Sequence, residues 1–416
     1  MLSTRATENM TWFKSQFARQ IGHASSTTLP AIDMTIAENW LVRGEMIAAA
    51  KDAVARELSA EHLSYSSGLG GSAPVLEAAA GFFNRFFAPR VPVLPDHIVT
   101  GAGCSGILDS LLYSLCGEGE GVLVEAPFWG SFSAYGVLRN NVHLVPVYTS
   151  SDNMIEAYQN ALRSSPYPIK AALFCNPQNP RGQLYPAEEI KALLHFCKTE
   201  KLHLISDEIY ALSQFEFGDH DSQRNTMLVE PPTFSFVSVL SIDVEEADRA
   251  RIHVITSVSK DLGSSGLRMG FLVTQANAAL RFAMSIYNNA KVSNMTALVV
   301  ARLFSDNDTL DCILRQSRES LRAAADLVVA FMLKHHIPCY RPIAGVYIWA
   351  RLGGNTATRE SETALQQRLV DAGVRVGPGW EYAEREAGWF RVSFALPRAQ
   401  LLEGLKRMEG LLDYSI

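Results

Sequence analysis

The sequence predicts an α/β protein with a mostly parallel sheet covered by helices. Short apolar runs rich in β-branched residues alternate with segments of helical pattern from about residue 97 to residue 275. This alternation is typical of strands that pair in parallel and are connected by helices. Polar, glycine and proline residues follow several of the apolar runs. Open α/β sheets bind their ligands at such strand ends, so we expect the functional residues there.

The predicted strands are short, apolar and separated by turn-forming residues. In chain order they are residues 97–99, 121–125, 142–147, 171–175, 202–206, 234–240, 252–256, 269–273, 345–350 and the run around Arg391. Residues 107–112 and about 294–336 have a helical pattern. The segment 218–232 begins with polar residues and contains two consecutive prolines, so it is predicted to be an exposed loop.

Composition excludes several classes of protein. The chain has 416 residues, of which 48% are hydrophobic, enough for a large core and two domains. Its net charge is −6 and it has no basic block, so we expect no nucleic-acid partner. No apolar stretch approaches the roughly 20 residues of a membrane span, so no membrane partner is expected. The six cysteines are scattered without metal-ligand spacing, which predicts reduced thiols, no metal site and a cytoplasmic location.

Lys260 is the first candidate for chemistry. It follows the predicted strand 252–256 in the run Ser-Val-Ser-Lys-Asp-Leu-Gly (257–263). Burial at a strand end disfavours the ammonium form and makes the amine a nucleophile toward a carbonyl. Arg268, eight residues later, offers a planar fork for a phosphate dianion, and Ser257 and Ser259 add hydroxyl donors. An amine for an aldehyde and a guanidinium for a phosphate together fit pyridoxal 5′-phosphate, although such a segment alone is more commonly a surface loop.

Three upstream segments supply complementary groups. The glycine-rich run 100–106 lies between a predicted strand and a helix, where exposed N–H groups bind anions, although tight connections share this composition. In the run Asn-Pro-Gln-Asn-Pro-Arg-Gly (176–182), each proline keeps the preceding asparagine extended. Asn179 could thus hold its amide against the phenolic oxygen of the cofactor, the alternative being a proline-rich turn.

Asp207 ends the predicted strand 202–206. A carboxylate facing the pyridine nitrogen of the cofactor would keep that nitrogen protonated and strengthen the ring as an electron sink. Tyr210, three residues later, could reach the phenolate oxygen of the same ring. The alternative for Asp207 is the N-cap of a helix.

In this order and spacing, the segments resemble fold-type I pyridoxal-phosphate enzymes of the class I/II aminotransferase family. The resemblance covers about residues 32–408 and is closest to the 1-aminocyclopropane-1-carboxylate synthase-like branch. The matching motifs are Ala-Glu-Asn (37–39), Ser-x-Ser-Lys-Asp-Leu-Gly and Gly-Trp-Phe-Arg-Val-Ser-Phe-Ala (388–395). The resemblance implies a large domain (61–299) with a mostly parallel seven-stranded sheet, and a smaller α/β domain (300–416). It also implies that an N-terminal segment (1–60) packs with the small domain.

The resemblance assigns the cofactor-binding groups one by one. It implies that Lys260 attaches the cofactor covalently and later carries the Cα proton of the substrate. Asp207 would pair with the ring nitrogen, and Asn179 and Tyr210 would bind the phenolic oxygen. The implied phosphate ligands are Gly103, Cys104, Ser105, Ser257 and Arg268.

Three further residues receive roles beside the ring and the substrate. Trp129 would stack on the ring, the alternative being an ordinary core aromatic. Arg391, with Asn179, would bind the substrate α-carboxylate, and its place in an apolar strand favours a functional role over a structural one. Glu38 would lie near the substrate, or would merely help to start the following helix. The expected substrate is an amino acid.

The chain departs from the plant members of the branch in two places. Those members carry Asp-Tyr-His before Gly-Leu, and their tyrosine reaches the phosphate of the partner subunit. Here Tyr65 stands one place out of register in the run 63–71, and it is the candidate for this role in an expected homodimer. Trp129 stands where that branch usually has tyrosine, as in ordinary aminotransferases, and residues 131–134 lack the usual charges. These changes argue against cyclopropane formation but leave the cofactor chemistry intact.

The predicted reaction is elimination of a β- or γ-substituent, including carbon–sulfur cleavage, from an amino acid. Branch members in specialised metabolism include carbon–sulfur lyases that act on cysteine conjugates. The alternative is an aminotransferase, which Trp129 favours. A non-catalytic binding protein is a third class, and the presence of Lys260, Asp207 and Arg268 argues against it.

Overall fold

The computed structural model describes residues 2–21, 30–66, 68–149, 153–215, 228–229 and 235–412. The helices of these residues are α1 (Thr4–Ile21), α2 (Arg43–Glu57), α3 (Ala73–Phe86), α4 (Gly103–Leu115), α5 (Ser131–Val137), α6 (Met154–Ser164), α7 (Ala187–Thr199), α8 (Glu246–Arg249), α9 (Ala278–Tyr287), α10 (Asn294–Ser305), α11 (Asn307–Lys334), α12 (Arg359–Asp371) and α13 (Arg398–Glu409). The strands are β1 (Ile32–Asp33), β2 (Ile98–Gly101), β3 (Gly121–Ala126), β4 (His143–Tyr148), β5 (Ile169–Cys175), β6 (His203–Asp207), β7 (Leu228–Val229), β8 (Ile252–Ser257), β9 (Gly270–Val273), β10 (Cys339–Tyr340), β11 (Tyr347–Ala350), β12 (Val374–Arg375), β13 (Gly377–Pro378) and β14 (Phe390–Ser393).

A seven-stranded sheet forms the centre of the molecule, in the order β2-β9-β8-β6-β5-β3-β4. Strands β8, β6, β5, β3 and β4 pair in parallel, whereas β9 runs antiparallel to both of its neighbours. The prediction of a mostly parallel seven-stranded sheet is therefore confirmed.

Helices cover both faces of this sheet. Successive residues of a strand point to opposite sides, so each strand contributes to both cores. Val122 and Val124 of β3 pack with residues of α4 and α9, such as Leu111 and Met284. Leu123, between them, packs on the other side with residues of α3, α7 and α10. Strands buried on both faces explain why their sequences are almost continuously apolar.

A second, five-stranded sheet has the order β13-β14-β11-β10-β7, and a two-stranded pair joins β1 to β12. Helices α11 and α13 share a hydrophobic core with this sheet, through residues such as Val328 and Leu405. Arg391 lies on β14, which pairs antiparallel with β11 and β13. The prediction of a second α/β portion late in the chain agrees with this arrangement.

The prediction of a strand at 234–240 is wrong, and the predicted loop 218–232 is wrong at residues 228–229. Within the predicted strand 234–240, Phe234 lies outside the described residues, and the rest forms no strand but leads into a 3₁₀ turn at Val239–Ser241. The Ser238 hydroxyl accepts from Leu240 N (3.2 Å) and donates to Glu208 Oε2 (2.6 Å), and such side-chain bonds favour turns over ladders. In the predicted loop 218–232, Leu228–Val229 form a strand with β10, while the other residues of that loop lie outside the described ones.

Candidate active site

A cavity of about 380 Å³ brings together nine of the predicted site residues. It lies beyond the carboxyl ends of β5, β6 and β8, at the N-terminus of α4 and beside β14. The nine residues that line it are Cys104, Ser105, Trp129, Asn179, Asp207, Tyr210, Lys260, Arg268 and Arg391. Sequence reasoning missed much of the remaining wall, which includes Thr35, Ile36, Ala37, Leu108, Phe132, Tyr135 and Ile209.

Lys260 presents its amine to the cavity from the turn that follows β8. Its Nζ donates to the Ala37 carbonyl oxygen at 2.5 Å. Removal from water lowers the pKa of Lys260 from 10.5 to about 8, and the positive charge of Arg391 adds to this effect. A large fraction of the amine is therefore neutral near pH 8, as a nucleophile toward an aldehyde requires.

Asp207, 5% exposed, ends β6 at the floor of the cavity. Its Oδ1 accepts from the Ile209 N–H at 3.3 Å, and no helix begins among the residues that directly follow it, so the N-cap alternative is wrong. Burial raises the pKa of Asp207 from 3.8 to about 7. A buried carboxyl group with one weak hydrogen bond among the described residues suits a cationic N–H partner.

The opposite end of the cavity is built for an anion. The N–H groups of Cys104 and Ser105 lie in the first turn of α4, where backbone donors point away from the helix. Arg268 Nη2 donates to the Ala102 carbonyl and to Ser105 Oγ, both at 3.1 Å. Gly103 has φ +75°, and a Cβ there would lie 2.6 Å from Arg268 Nη2. The glycine therefore leaves the space that the guanidinium occupies.

Ser257 and Cys104 lie together behind this anion site. The Ser257 hydroxyl forms a hydrogen bond with the Cys104 thiol. Burial raises the pKa of that thiol well above its ordinary value, and the nearby Asp207 carboxyl adds to the effect. Ser257 Oγ also accepts from the Ser259 N–H at 3.2 Å. The thiol is thus held in its protonated form. Ser257 does not line the cavity, although Ser259 does.

Arg391 is a buried cation held by neutral acceptors. Its side chain is 3% exposed; Nη1 donates to Asn179 Oδ1 (2.9 Å) and Nη2 to the Thr35 carbonyl (2.5 Å). The guanidinium carbon lies 5.0 and 4.9 Å from the ring centres of Tyr347 and Tyr382. No carboxylate of the described residues lies within ion-pair distance of it. Because a buried charge needs a counter-charge, this site fits a ligand carboxylate.

The tyrosines beside Arg391 were not predicted as site residues. Tyr347 lies in the predicted strand 345–350, whose apolar pattern gave no reason to separate it from the core. Its ring lies edge-on to that of Tyr210, with the ring centres 5.3 Å apart, and the two hydroxyl groups form a hydrogen bond with each other. Burial raises the pKa of Tyr210, so its hydroxyl is a proton donor in the cavity.

Trp129 forms an aromatic wall of the cavity. Its ring lies edge-on to Phe132 at 5.3 Å and tilted to Tyr135 at 5.9 Å. It therefore packs in an aromatic cluster and also presents a surface to the cavity, while its stacking on the cofactor ring stays a prediction.

Glu38 and Tyr65 do not line the cavity. Glu38 accepts from Arg43, the first residue of α2, at 2.6 Å, and also from the Ser265 hydroxyl. Burial raises its pKa, but the bonds from Ser265 and Arg43 outweigh this, and the net pKa is lowered. The Arg43 contact matches the alternative that Glu38 helps to start a helix. Tyr65 is 94% exposed, so its role and that of Glu38 in ligand binding stay predictions.

The family profile of class I and II aminotransferases matches residues 32–408. The chain belongs to the class I and II aminotransferase family. The probable aminotransferase gliI of Aspergillus fumigatus is 45% identical to it, over 98% of this chain and 95% of that protein. Aminotransferase verI of Clonostachys rogersoniana is 40% identical, over 100% and 94% of the two chains. The 1-aminocyclopropane-1-carboxylate synthase 6 of Arabidopsis thaliana is 31% identical, over 77% of this chain and 64% of that protein.

Solved structures share the fold. The aspartate aminotransferase from Thermus thermophilus with maleate has a TM-score of 0.77 and 20% identity, over 99% of this chain and 100% of that one. The resemblance to fold-type I enzymes that the motifs indicated is therefore confirmed, including relatives of the synthase-like branch.

Enzymes of this class I and II aminotransferase family use pyridoxal 5′-phosphate, so this is the cofactor of the chain. The cavity fits it at each end: a lysine of lowered pKa, a buried carboxyl group that lacks a cation partner in contact, and an anion site shaped by Gly103. When bound, the cofactor withdraws electrons from the Cα of an amino acid. No helix of the described residues is long and apolar enough to span a membrane.

Proposed function

We propose that the enzyme eliminates a β- or γ-substituent, such as a thiolate, from an amino acid with an uncharged side chain. The observation that carries this proposal is the distribution of cations around the cavity. In the part of the chain that the structure describes, Lys260, Arg268 and Arg391 are the cationic residues that line it. Lys260 and Arg268 have the cofactor as their ligand, which leaves Arg391 for one carboxylate.

Within one subunit, this distribution offers no second cation for a dicarboxylic 2-oxo acid as a second substrate. Such an acceptor needs a second cation for its distal carboxylate, because a carboxylate left unpaired in a desolvated site is costly. The wall that remains is mainly apolar and aromatic, with Ile36, Trp129, Phe132 and Tyr135. Elimination needs no acceptor, because it returns the cofactor to its starting form in every turnover.

The proposed residue roles follow the contacts. Arg391 and Asn179 bind the substrate α-carboxylate, which brings Cα toward the amine of Lys260. Lys260 Nζ removes the Cα proton and can return it. Asp207 would hold the proton on the ring nitrogen of the cofactor, while Asn179 and Tyr210 would bind its phenolic oxygen. The Cβ or Cγ substituent departs with its bonding electrons, and water converts the remainder to ammonia and a 2-oxo acid.

The phosphate of the cofactor has its own proposed set of ligands. The N–H groups of Cys104 and Ser105, the guanidinium of Arg268 and the Ser257 hydroxyl would bind it, with Gly103 providing the room. Trp129 would cover the ring. The carboxylate of Glu38 is held by Arg43 and Ser265, and Ser265 lines the cavity. Glu38 is therefore proposed to influence the substrate indirectly, by positioning Ser265.

An aminotransferase is the second candidate, and the names of the relatives favour it. The relatives at 45% and 40% identity are named a probable aminotransferase and an aminotransferase. An aminotransferase with this cavity would use a monocarboxylic 2-oxo acid as acceptor, because Arg391 offers one carboxylate site.

We also propose a homodimer, with the two predicted domains (61–299 and 300–416) and the N-terminal segment (1–60) in each subunit, located in the cytoplasm. Support for the dimer comes from exposed apolar side chains around residues 63–69 and on α9. Leu63 and Tyr65 are 79% and 94% exposed, and Phe282 on α9 is 59% exposed. Large exposed apolar residues concentrated in one region are typical of an interface.

Product analysis tests the proposed reaction. Purified holoenzyme is incubated with S-alkyl cysteines and with γ-substituted amino acids, and ammonia, 2-oxo acid and free thiol are measured. We expect equal amounts of the three products from a cysteine conjugate without any added acceptor, and none with Lys260→Ala. Turnover that requires an added 2-oxo acid, with accumulation of the pyridoxamine form of the cofactor, would replace the lyase with the aminotransferase.

A further inference from the structure

The loop 176–182, which follows β5, contacts both the seven-stranded sheet and the five-stranded one. Toward the larger sheet, Gln178 Nε2 donates to the Pro127 carbonyl at 2.7 Å, just beyond β3. Toward the smaller sheet, Asn179 Oδ1 accepts from Arg391 Nη1 on β14 at 2.9 Å. The position of the Arg391 guanidinium relative to Lys260 and the cofactor therefore depends on how firmly this loop is held.

A partly buried ion pair between Glu125 and Arg181 holds the end of the loop. Glu125, the penultimate residue of β3, is 7% exposed. Its Oε2 accepts from the Tyr185 hydroxyl at 2.7 Å and its Oε1 from the Thr149 hydroxyl at 3.0 Å. Arg181 Nη1 lies 3.6 Å from the same Oε1. Glu125 is thus fixed by two neutral donors and presents its charge to Arg181.

Arg181 contacts both sheets at once. Its guanidinium pairs with Glu125 on β3, and it also lies 5.3 Å from the ring centre of Tyr340 on β10. The Arg181 N–H donates to Gln178 Oε1 at 2.8 Å, which closes the backbone around Asn179. A cation between a carboxylate and an aromatic face has a narrow choice of positions. Asn179, two residues away, shares this restraint.

We propose that Glu125 and Arg181 are positioning residues that hold Asn179, and through it Arg391, in the geometry that binds the substrate carboxylate. The inference rests on the proposed role of Arg391 as the carboxylate site. Neither residue lines the cavity, so their effect passes through the Asn179–Arg391 hydrogen bond. A bidentate guanidinium–carboxylate contact depends on orientation, so a small displacement of Arg391 weakens it.

The test measures carboxylate binding rather than turnover. The probe is 3-phenylpropanoate, a carboxylate without an amino group whose ring suits the aromatic walls of the cavity. Its dissociation constant for the holoenzyme is measured from the change in cofactor absorbance and, independently, from the rise in melting temperature. The variants are Glu125→Gln, Arg181→Gln and Arg181→Lys. The matched control is Glu120→Gln, which removes a partly exposed ion pair with Lys170 (3.2 Å) at the other end of β3.

We expect Glu125→Gln and Arg181→Gln each to weaken probe binding by about tenfold, and Arg181→Lys by a smaller factor, because a lysine keeps the charge but not the planar contact with Tyr340. The double variant should bind the probe no more weakly than the worse single one, since both substitutions break the same ion pair. The control should match the wild type. For the amino-acid substrate, KM should rise by the same factor while kcat stays within about twofold.

A purely structural role predicts a different result. In that case the melting temperature of Glu125→Gln and Arg181→Gln falls while the dissociation constant of the probe is unchanged, which overturns the proposal. If Glu125→Gln does not fold, Arg181→Gln decides alone, since its side chain is partly exposed. Wild-type enzyme that does not bind the probe would refute the Arg391 site itself. An enzyme that binds the probe but transaminates leaves the proposal standing and refutes only the lyase.

Discussion

Two residues of the cavity, Lys260 and Asp207, have pKa values that burial moves far from their ordinary values. Lys260 loses water contacts and has the positive charge of Arg391 nearby, and its pKa is lowered to about 8. Asp207 is buried without a cation in contact, and its pKa is raised to about 7. In the absence of the cofactor both groups are destabilised in their charged forms. Perturbed groups of this kind cluster at functional sites.

The lowered pKa of Lys260 predicts how the cofactor-free protein takes up the cofactor. The neutral amine is the reactive form, so its fraction rises with pH through about 8 and then levels off. The initial rate of covalent attachment, followed by visible absorbance, should rise from about pH 7 and reach a plateau above about pH 9. Lys260→Ala should show no protein-linked cofactor after borohydride reduction. A rate that still rises steeply above pH 10, or a variant that retains reducible cofactor, would contradict the assignment.

The raised pKa of Asp207 predicts that replacing this carboxyl group makes the cofactor-free protein more stable, although the enzyme loses activity. Between pH 3.8, the ordinary pKa, and about 7, the folded cofactor-free protein keeps a proton that the unfolded chain releases. Its stability therefore falls as the pH rises through this range. Asp207→Asn removes that cost and should raise the free energy of unfolding at pH 8 by on the order of 2 kcal/mol, with a smaller gain at pH 5.

Urea unfolding of the cofactor-free protein measures this difference. The matched control is Asp109→Asn, whose carboxylate pairs with Arg139 at 2.6 Å in a partly exposed position and should give no such gain. With cofactor, Asp207→Asn should lose most of its turnover, because a ring nitrogen without its proton is a poor electron sink. Near-normal turnover would mean that another residue faces the nitrogen.

The contacts of Arg391 predict that geometry matters as well as charge. Its two terminal nitrogens are set by Asn179 Oδ1 and the Thr35 carbonyl. Arg391→Lys keeps the cation but loses the two-pronged contact, so the KM of the substrate should rise by roughly 10- to 100-fold, with a smaller change in kcat. Steady-state kinetics checks this. An unchanged KM combined with a lower melting temperature would make Arg391 a structural residue.

At the scale of elements, the N-terminus of α4 and the turn after β8 meet at the proposed phosphate site. Gly103 is needed because its φ is +75° and because a Cβ would lie 2.6 Å from Arg268 Nη2. Gly103→Ala should therefore displace the guanidinium and strain the backbone, and should weaken cofactor affinity by at least about tenfold. Gly106→Ala, one turn along the same helix, meets only Ala102 Cβ at 3.3 Å and is the control. Equal cofactor affinity of the two variants, titrated by absorbance, would refute this account of the site.

Strand positions were predictable because buried parallel strands are continuously apolar and short. The strand ends that carry Asp207 and Lys260 were predicted to within about two residues, which is enough to place both groups at one edge of the sheet. Residues 235–240 share the same composition but end in a turn, because Ser238 bonds to Leu240 and Glu208. A hydroxyl that competes for backbone groups depends on tertiary neighbours, and composition does not reveal it.

The residues that the sequence did not reveal act across the two sheets. The sequence placed Glu125 in a predicted strand and Arg181 in a predicted turn. Nothing in their separation of 56 positions indicated that the two side chains form an ion pair. The spacing of Tyr347 and Tyr382 in the sequence likewise gave no indication that both rings flank Arg391. Motif residues are close in sequence or meet at strand ends, so they can be predicted. Contacts between the two sheets depend on how the sheets pack, which a single sequence leaves open.

At the scale of the whole molecule, the exposed Tyr65 raises the question of which subunit it serves. It is 94% exposed and lies outside the cavity of its own chain. Leu63 is exposed two residues before it, and Gly70 lies close to Ser285 of α9, the helix that exposes Phe282. In the proposed homodimer, Tyr65 would reach the phosphate bound by the partner subunit.

Mixed dimers test this directly. Tyr65→Ala and Lys260→Ala are each expected to have low activity alone. If Tyr65 acts across the interface, a mixed dimer contains one site with an intact lysine from one chain and an intact tyrosine from the other. Random reassociation of equal amounts should then restore about a quarter of the wild-type activity, because half of the dimers are mixed and one of their two sites is complete. If Tyr65 served its own chain, no site in the mixed dimer would be complete, and mixing would restore nothing.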